Sequence, residues 1–388
     1  MTRQPPSNPI DRSQVVIIGA SAAGLYTACL LAKGGLPVLL FDESERLGSP
    51  ARTLIVTHRI NEVLGSIPSE AVVNRTAKLQ LNSPGQSTTI QLNQADLIVE
   101  REQLIRMLET QARAAGVELL RGYQCLGVEP DGDGLVVRMQ SSNGRDEILR
   151  PCILVGADGV SSRVGSDVHR DHHRTVSLLQ STVVLPKRGE GDTTRVWFDP
   201  ESTRYFYWLI PQSRDKAVVG LIADDRRQAR NALKRFLSLQ GLEPLDDQGA
   251  QVPLYARNSV PWTTVGQTRV FLVGDAAAHV KVTTVGGVVT GLRGARAAAR
   301  AILRDSSYRG ELAALRSELD LHWLIRRVLN RLAPRDYDQL LRLMSKRTKA
   351  VLAHRTRDEP TRVLFFSLVA QPKLLLFAAK ALLRSLRR

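Results

Sequence analysis

The stretch from Gln14 to Glu43 constrains the fold more than any other part of the chain. QVVIIG, Gln14 to Gly19, is a short apolar and β-branched run, the composition of a strand buried on both faces. It passes straight into GASAAG and the helical stretch LYTACLLAKGG. PVLLFDE then forms a second apolar run that reaches Asp42, 23 residues beyond Gly19. Strand, glycine turn, helix and strand in that order predict a βαβ unit whose turn can receive a dinucleotide. Gly19 and Gly24 let the backbone turn tightly and approach a pyrophosphate, Ser21 takes the middle position of the G-x-G-x-x-G pattern, and the helix N-terminus faces the negative charge. A carboxylate at Asp42 is placed to accept from ribose hydroxyls, which favours an adenine dinucleotide without a 2′-phosphate; FAD and NAD both qualify. A glycine turn alone fits any βαβ unit. The flanking strand, helix and acid at this separation make the signal specific.

Three later stretches decide between the two cofactors. Leu104, Ile105, Leu108, Ala112 and Ala115 recur at helical spacing after Arg101, and Gly116 and the strand-like VELL follow, so a helix packed on a sheet is expected. Arg101 falls in its first turn, where the helix dipole disfavours a cation unless an anion is near; a solvated arginine is the bland alternative. ILVGADGVSSRVG, Ile153 to Gly165, repeats the strand and glycine-turn logic with Asp158 at the tip, although any tight turn can carry an Asp-Gly pair. RVFLVGDAAAHVKVTTVGGVVTGLRGARAAARAI then gives a strand ending at Gly274 and Asp275, a loop, and Gly286 and Gly287 opening a long helix. Asp275 suits the ribityl hydroxyls of a flavin. The Gly286 and Gly287 amides, at a positive helix end, suit the negative charge that develops at the flavin N1 and O2 edge on reduction.

Together these motifs resemble the flavoprotein group that includes the aromatic hydroxylases, and within it the geranylgeranyl reductases, over roughly Val15 to Pro372. The resemblance implies an α/β fold, with a Rossmann-like FAD-binding domain, an interleaved antiparallel β-sheet substrate domain and a helical C-terminal region. It implies FAD held by Gly19, Ser21, Gly24, Asp42, Arg101, the backbone of Cys125, Asp158, Gly274, Asp275, Gly286 and Gly287. Hydroxylases read Gly-Asp-Ala-Ala-His, whereas Ala278 stands at the histidine position here and His279 comes one residue later. Reductases read Lys-Pro-Thr-Thr-Gly-Gly-Gly, and KVTTVGG, Lys281 to Gly287, matches except at Val282 and Val285. The two valines are expected to narrow the loop and restrict its freedom. FYWLIP, Phe206 to Pro211, with Gly220 beyond it, is similar to the Tyr-x-Trp-x-Phe-Pro…Gly motif of prenyl reductases and to the Trp-x-Trp-x-Ile-Pro stretch of flavin halogenases. This implies a substrate-lining role for Phe206, Trp208, Pro211 and Gly220, against the plain alternative of an aromatic core strand. The Cys-Gly-Gly segment of archaeal-type prenyl reductases has no counterpart in LGSPARTLIVT, where Ser49 stands nearest to the cysteine, so no catalytic acid is assigned. The implied function is FAD-dependent reduction of C=C bonds in an isoprenoid or related lipid chain by hydride from reduced flavin N5, with NAD(P)H or a reduced electron-carrier protein as donor. A flavin monooxygenase or halogenase of secondary metabolism is the alternative enzyme; a membrane-bound FAD assembly or electron-relay protein is the non-enzymatic one.

Composition adds one localised feature. The 388 residues carry a formal net charge of +16, and from Leu292 onward 22 Lys and Arg stand against 8 Asp and Glu, which leaves residues 1–291 close to neutral. After Pro372, Lys373, Lys380, Arg384 and Arg387 share one arc of a helix, while Leu375, Leu376, Ala379, Leu382, Leu383 and Leu386 share the other. With Phe365, Phe366, Leu368 and Val369 upstream, this segment is expected to lie on an anionic membrane, a solvated helix being the bland reading. Nucleic acid is disfavoured because the arginines lack interleaved stacking aromatics. No apolar run of about 18 residues predicts a spanning helix, and the polar N-terminus lacks the apolar core of a signal peptide. Cys29, Cys125 and Cys152 lack the spacing of a disulfide framework or a zinc site, so no metal and a reducing compartment are expected. The expected location is cytoplasmic, peripheral on the inner face of the cell membrane. The chain divides into a disordered lead (1–13), an FAD-binding part (14–165) with a substrate-domain insertion near 46–98, a substrate or cap sheet (166–268), an FAD-binding return segment (269–305) and a helical basic region (306–388) whose helices are expected to pack on the flavin lobe.

Overall fold

The computed structural model describes residues 15–48, 52–169, 173–185 and 191–354; the lead and the basic helix expected after Pro372 lie outside them. Inside a six-stranded sheet, β1 (Val15–Ile18) is buried along its whole length, as an apolar strand covered on both faces must be. β2 (Val38–Asp42) and β6 (Glu118–Arg121) extend the sheet to one side, and β10 (Ile153–Gly156), β17 (Thr268–Leu272) and β16 (Trp262–Val265) extend it to the other. Every pairing is parallel except that of β16 with β17. The chain winds outward from β1 through β2 and β6, then crosses to the opposite side at β10. Ligands of open α/β sheets bind outside the strands' carboxyl ends at such a reversal.

One face of this sheet is covered by α1 (Ala22–Lys33), α3 (Arg101–Ala114) and α6 (Val288–Leu303), which share a core with Val15, Ile17, Val38 and Leu40. Ser21 caps α1, its Oγ accepting the Gly24 amide at 3.2 Å. The small residues Gly291, Ala295, Ala298 and Ala299 of α6 are buried and let that helix lie close to α1. The other face is covered by a feature the sequence did not signal, a three-stranded antiparallel sheet of β7 (Tyr123–Asp131), β8 (Gly134–Ser141) and β9 (Asp146–Leu149), together with α4 (Arg163–His169).

The second layer is an eight-stranded sheet. From one edge to the other it consists of β15 (Gln248–Pro253), β11 (Thr175–Val184), β14 (Lys216–Ala223), β13 (Tyr207–Pro211), β12 (Thr193–Trp197), β4 (Val72–Ser83), β5 (Gln86–Glu100) and β3 (Thr53–Val56). It is antiparallel except where β12 pairs parallel with β4, which joins the insertion to the later substrate segment. α5 (Arg226–Gln240), capped by Asp225, packs on the face that carries Leu179, Leu209, Val219 and Leu221. The alternate residues Leu178, Trp208, Ile210 and Ile222 therefore face the other way, toward the cofactor lobe. α2 (Ile60–Leu64) follows β3, and β5 runs directly into Arg101, so this sheet delivers the first turn of α3.

Two expectations need correcting. Strand β16 falls within the section read as substrate sheet but joins the FAD-side sheet, because Trp262 pairs with Phe271 across a short turn. Of the C-terminal helices, α7 (Tyr308–Leu329) packs on α6, but α8 (Pro334–Arg342) and α9 (Lys346–His354) pack on the β4–β5 hairpin instead of the flavin lobe. Asp338 explains the position of α8, since its Oδ1 accepts from Ser83 Oγ at 2.5 Å and from the Gly85 amide at 2.9 Å.

Candidate active site

The winding reversal brings the ends of three strands together. Past β1, Gly19 adopts φ +103°, and a Cβ there would collide with the Ala157 carbonyl just beyond β10. Past β17, Gly274 adopts φ +63° and lies against Ala23 of α1. Only glycine permits both the backbone angle and the approach at these two turns.

A cavity of about 580 Å³ begins here. Its polar end carries Ser21, Arg52, Arg101, Asp275 and the Gly286-Gly287 entry to α6. Arg101 Nη1 donates to the Gly48 carbonyl at 2.9 Å. Burial lowers the proton affinity of both guanidiniums, and the charge of Asp275 opposes this in each case. Burial pushes the Asp275 carboxyl above the usual carboxylate range, while Arg52 and then Arg101 pull it back. Asp42 also acts on Arg101, and the two guanidiniums give this end of the cavity the fork donors that a diphosphate needs. A Cβ at Gly159 would meet nothing within 4 Å, and the nearest atoms to one at Gly286 would be Lys281 Cε and Thr284 Oγ1 at 3.5 Å and Lys281 Nζ at 3.6 Å, ordinary contacts that leave room beside the backbone for a ligand. Donors for a diphosphate, an acceptor for a polyol, a helix N-terminus and open backbone together fit FAD.

The other end of the cavity is apolar. Leu79 and Leu81 of β4, Val196 and Phe198 at β12, and Phe206, Trp208 and Ile210 at β13 form its wall. Trp208 stands opposite Gly220 on β14, where a Cβ would come within 2.5 Å of the indole Cζ2. Tyr337 of α8 stacks on Phe198, with ring centroids 4.8 Å apart.

Between the two ends lies the 281–287 loop. Val285 adopts φ +54° and belongs to the same buried cluster as Trp208, Ile210 and Ile222. A β-branched side chain in the left-handed region is strained. The loop therefore has the glycine-type shape of the motif it resembles, with a valine supplying the angle. Two residues of α7 hold it: His322 Nδ1 lies 2.7 Å from Thr283 Oγ1, and Arg326, which also lines the cavity, donates to the carbonyls of Val282 (2.9 Å), Thr283 and Arg204 (2.9 Å).

Of the residues singled out in the sequence, Ser21, Arg101, Gly274, Asp275, Gly286, Gly287, Phe206 and Trp208 line the cavity. Gly19, in the turn, and Gly24, in the first turn of α1, pack against each other beneath it. Asp42 stands outside, its Oδ2 accepting from the Ala20 amide at 2.6 Å and its Oδ1 from Ser44 at 2.9 Å, so it stiffens the glycine turn. The carboxylate of Asp158 is occupied by Ser162 Oγ (2.5 Å) and the amides of Arg163 (2.7 Å) and Val164 (3.1 Å), so it helps cap the first turn of α4 beside Ser162, whose Oγ accepts the Gly165 amide at 2.8 Å; its neighbour Gly159 is the one that lines the cavity. Cys125 lies on β7 away from the cavity, and burial, with a smaller contribution from Asp158, pushes its thiol up to about 12. Pro211 ends β13 and accepts from Asn74 Nδ2 at 2.8 Å, while Gly220 acts through the space it leaves for Trp208.

Sequence reasoning missed Arg52, His322, Arg326 and Tyr337. Arg52 precedes β3 in an irregular stretch that carries no pattern. For α7 a signal existed. Tyr308, Leu312, Leu315, Leu319, His322 and Arg326 are buried at spacings of three and four, so an apolar stripe continues into two polar residues that need partners.

Comparison with known proteins gives the same picture. Residues 12–311 match the FAD binding domain family. The chain is 25% identical over 285 residues to the digeranylgeranylglycerophospholipid reductase of Methanococcus vannielii, covering 71% of this chain and 72% of that one. A solved geranylgeranyl bacteriochlorophyll reductase-like protein of Thermoplasma acidophilum superposes with a TM-score of 0.80 at 20% identity, over 95% of this chain and 98% of the other. The flavin-dependent halogenase CmlS superposes with a TM-score of 0.61 at 22% identity, over 91% and 68%. From the glycine turn at the winding reversal to Asp275 at the third strand end, the architecture and the matched residues agree: the chain belongs to the FAD binding domain family and is an FAD-dependent oxidoreductase.

Proposed function

We propose that this protein reduces C=C bonds in the isoprenoid chain of a lipid. The observation that carries the reading is the cavity, whose polar, arginine-bearing end continues without interruption into a wall of leucine, isoleucine and aromatic side chains. An uncharged hydrocarbon chain needs such a surface, and a cofactor diphosphate needs such an end. The names of relatives, among them a digeranylgeranylglycerophospholipid reductase, support the same substrate class.

When bound, FAD supplies the redox chemistry, a hydride for one carbon of the double bond while a proton reaches the other. The protein's own residues bind, orient and keep water out. Arg52 and Arg101 would hold the diphosphate, Asp275 would accept from the ribityl chain, and the Gly286 and Gly287 amides at the start of α6 would stabilise negative charge at the pyrimidine edge. Trp208 and Ile210 at alternate positions of β13, with Phe206 just before it, hold the chain against the loop, while Tyr337 and Phe198 close off solvent. Electrons come from NAD(P)H or a reduced carrier protein. We place the enzyme at the cytoplasmic face of the cell membrane, held by its basic C-terminal segment on anionic lipid; no helix among the described residues is long and apolar enough to cross a bilayer.

Anaerobic photoreduction of the flavin followed by addition of a polyprenyl lipid tests the reading. Reoxidation without oxygen, with a gain of two hydrogens per bond in the lipid mass, is expected. Reoxidation only with oxygen, giving a hydroxylated or halogenated product, would establish the monooxygenase or halogenase alternative instead.

A further inference from the structure

We infer that Arg326 is the positioning residue that holds the 281–287 loop in its strained shape and so sets where the Gly286 and Gly287 amides stand against the flavin. The inference rests on the cofactor placement proposed above. A β-branched residue at φ +54° persists only where its surroundings over-determine the backbone. Inside the loop, the Val285 and Thr284 amides donate to the Lys281 carbonyl at 2.7 and 3.2 Å, and the Lys281 amide donates to Gly286 at 3.2 Å. These bonds close the loop but leave the carbonyls of Val282 and Thr283 outside the closure. Both end on one guanidinium, Nε taking Val282 at 2.9 Å and Nη2 taking Thr283. Nη1 reaches the Arg204 carbonyl at 2.9 Å, which ties the loop to the approach of β13. The 282–283 and 283–284 peptide planes, which precede the one leading into the strained valine, are thereby fixed against rotation.

Arg326 is 6% exposed, and its guanidinium lies over the Tyr205 ring at 4.5 Å. Its charge is met by carbonyl oxygens, with no carboxylate partner among the described residues. A buried cation in this arrangement acts as a rigid fork that spans three chain segments, a geometry an ammonium cannot reproduce. It stands one helical turn beyond His322, which holds Thr283 Oγ1. Both residues lie past the end of the matched FAD-binding region at residue 311, so the helix that follows that region reaches back to shape it.

Three variants of the full-length, FAD-loaded protein test this. Arg326→Met is expected to weaken FAD binding at least about tenfold, read by flavin fluorescence, and to shift the flavin absorption envelope and midpoint potential. Arg326→Lys is expected to behave like Arg326→Met. Thr283→Val, which leaves α7 intact, is expected to move the potential in the same direction by less. Native affinity and potential in Arg326→Met would overturn the inference, as would full recovery in Arg326→Lys, because charge alone would then suffice. Should Arg326→Met fail to fold, native affinity and potential in Arg326→Lys overturn it, because that variant loses the fork but keeps the charge and most of the side chain. Gly286→Ala separates this inference from the cofactor placement. Its methyl meets only ordinary contacts within the protein, so a loss of FAD affinity supports a loop that faces the flavin, and unchanged affinity removes that placement whatever Arg326 does.

Discussion

Strain at Val285 can be measured by comparing alanine and glycine at that position with the same pair at Val252. The two valines belong to one core cluster and are 6% and 8% exposed, but Val252 lies in the extended strand β15 and Val285 has φ +54°. At an ordinary buried position, replacing alanine with glycine removes one methyl, about 0.8 kcal/mol, and adds about 0.5–1 kcal/mol of backbone entropy cost. Val252→Gly is therefore expected to be less stable than Val252→Ala by about 1.5 kcal/mol. At position 285 alanine retains the left-handed penalty of about 1–2 kcal/mol that glycine escapes, so the two variants should agree to within about 0.5 kcal/mol. Both must be less stable than the native protein, because each opens space beside Trp208 and Ile210. Urea unfolding of the FAD-free proteins is the appropriate assay, since bound cofactor would mix affinity changes into the stability difference. An alanine-to-glycine difference at 285 as large as that at 252 would refute the strain argument, and with it the reason the loop needs a clamp.

Three further outcomes follow from the geometry. The His279 imidazole is buried, and its proton affinity is depressed to about 3 chiefly by that burial, then by Arg316 and His173. Its folded value lies below the unfolded one near 6.5, so the unfolded chain takes up the proton first as pH falls. The associated stability is present above about pH 6.5 and is lost toward pH 3, about 2 kcal/mol of it between pH 7 and 5; His279→Gln should remove that part of the pH dependence, and equal slopes in the two proteins would contradict it. Asp158→Ala should cost about 1–2 kcal/mol through the lost cap of α4 and change FAD affinity little; a large affinity loss with stability intact would make Asp158 a cofactor ligand instead. Gly220→Ala should destabilise by about 1–3 kcal/mol, because the new methyl would sit 2.5 Å from Trp208 Cζ2 and 2.7 Å from the Leu179 carbonyl, and its tryptophan fluorescence should shift. A native spectrum and stability would show that the indole does not depend on that space.

The parts of the fold legible in the sequence are those specified locally. β1, the glycine turn, α1 and β2 form one continuous stretch in which strand composition, turn residue and helix cap all agree, and the entry to α6 at Gly287 is similarly marked. What could not be read depends on segments far apart in the chain. Thr194 of β12 pairs with Leu79 of β4, Arg326 meets Val282 from a different element, and Tyr337 reaches Phe198 from α8. None of these contacts leaves a local periodicity. Asp158 shows the opposite difficulty: an Asp-Gly pair after a strand resembles a ligand site, but the same carboxylate is well placed to cap the helix that begins five residues later, and in the structure it does so.

The order of strands also bears on how the chain assembles as it is made. β1 ends at Ile18, yet its partner β10 begins at Ile153, and the sheet is completed by β17, which ends at Leu272. At a synthesis rate of roughly 5–20 residues per second, the nucleotide-binding turn is translated roughly 10–50 s before the last strand of its sheet exists. The parallel pairing of β12 with β4 interleaves the second sheet over the same interval. Neither half can therefore be cut out and expressed as an independent unit, because each fragment would leave an unpaired apolar strand edge exposed to association with other chains.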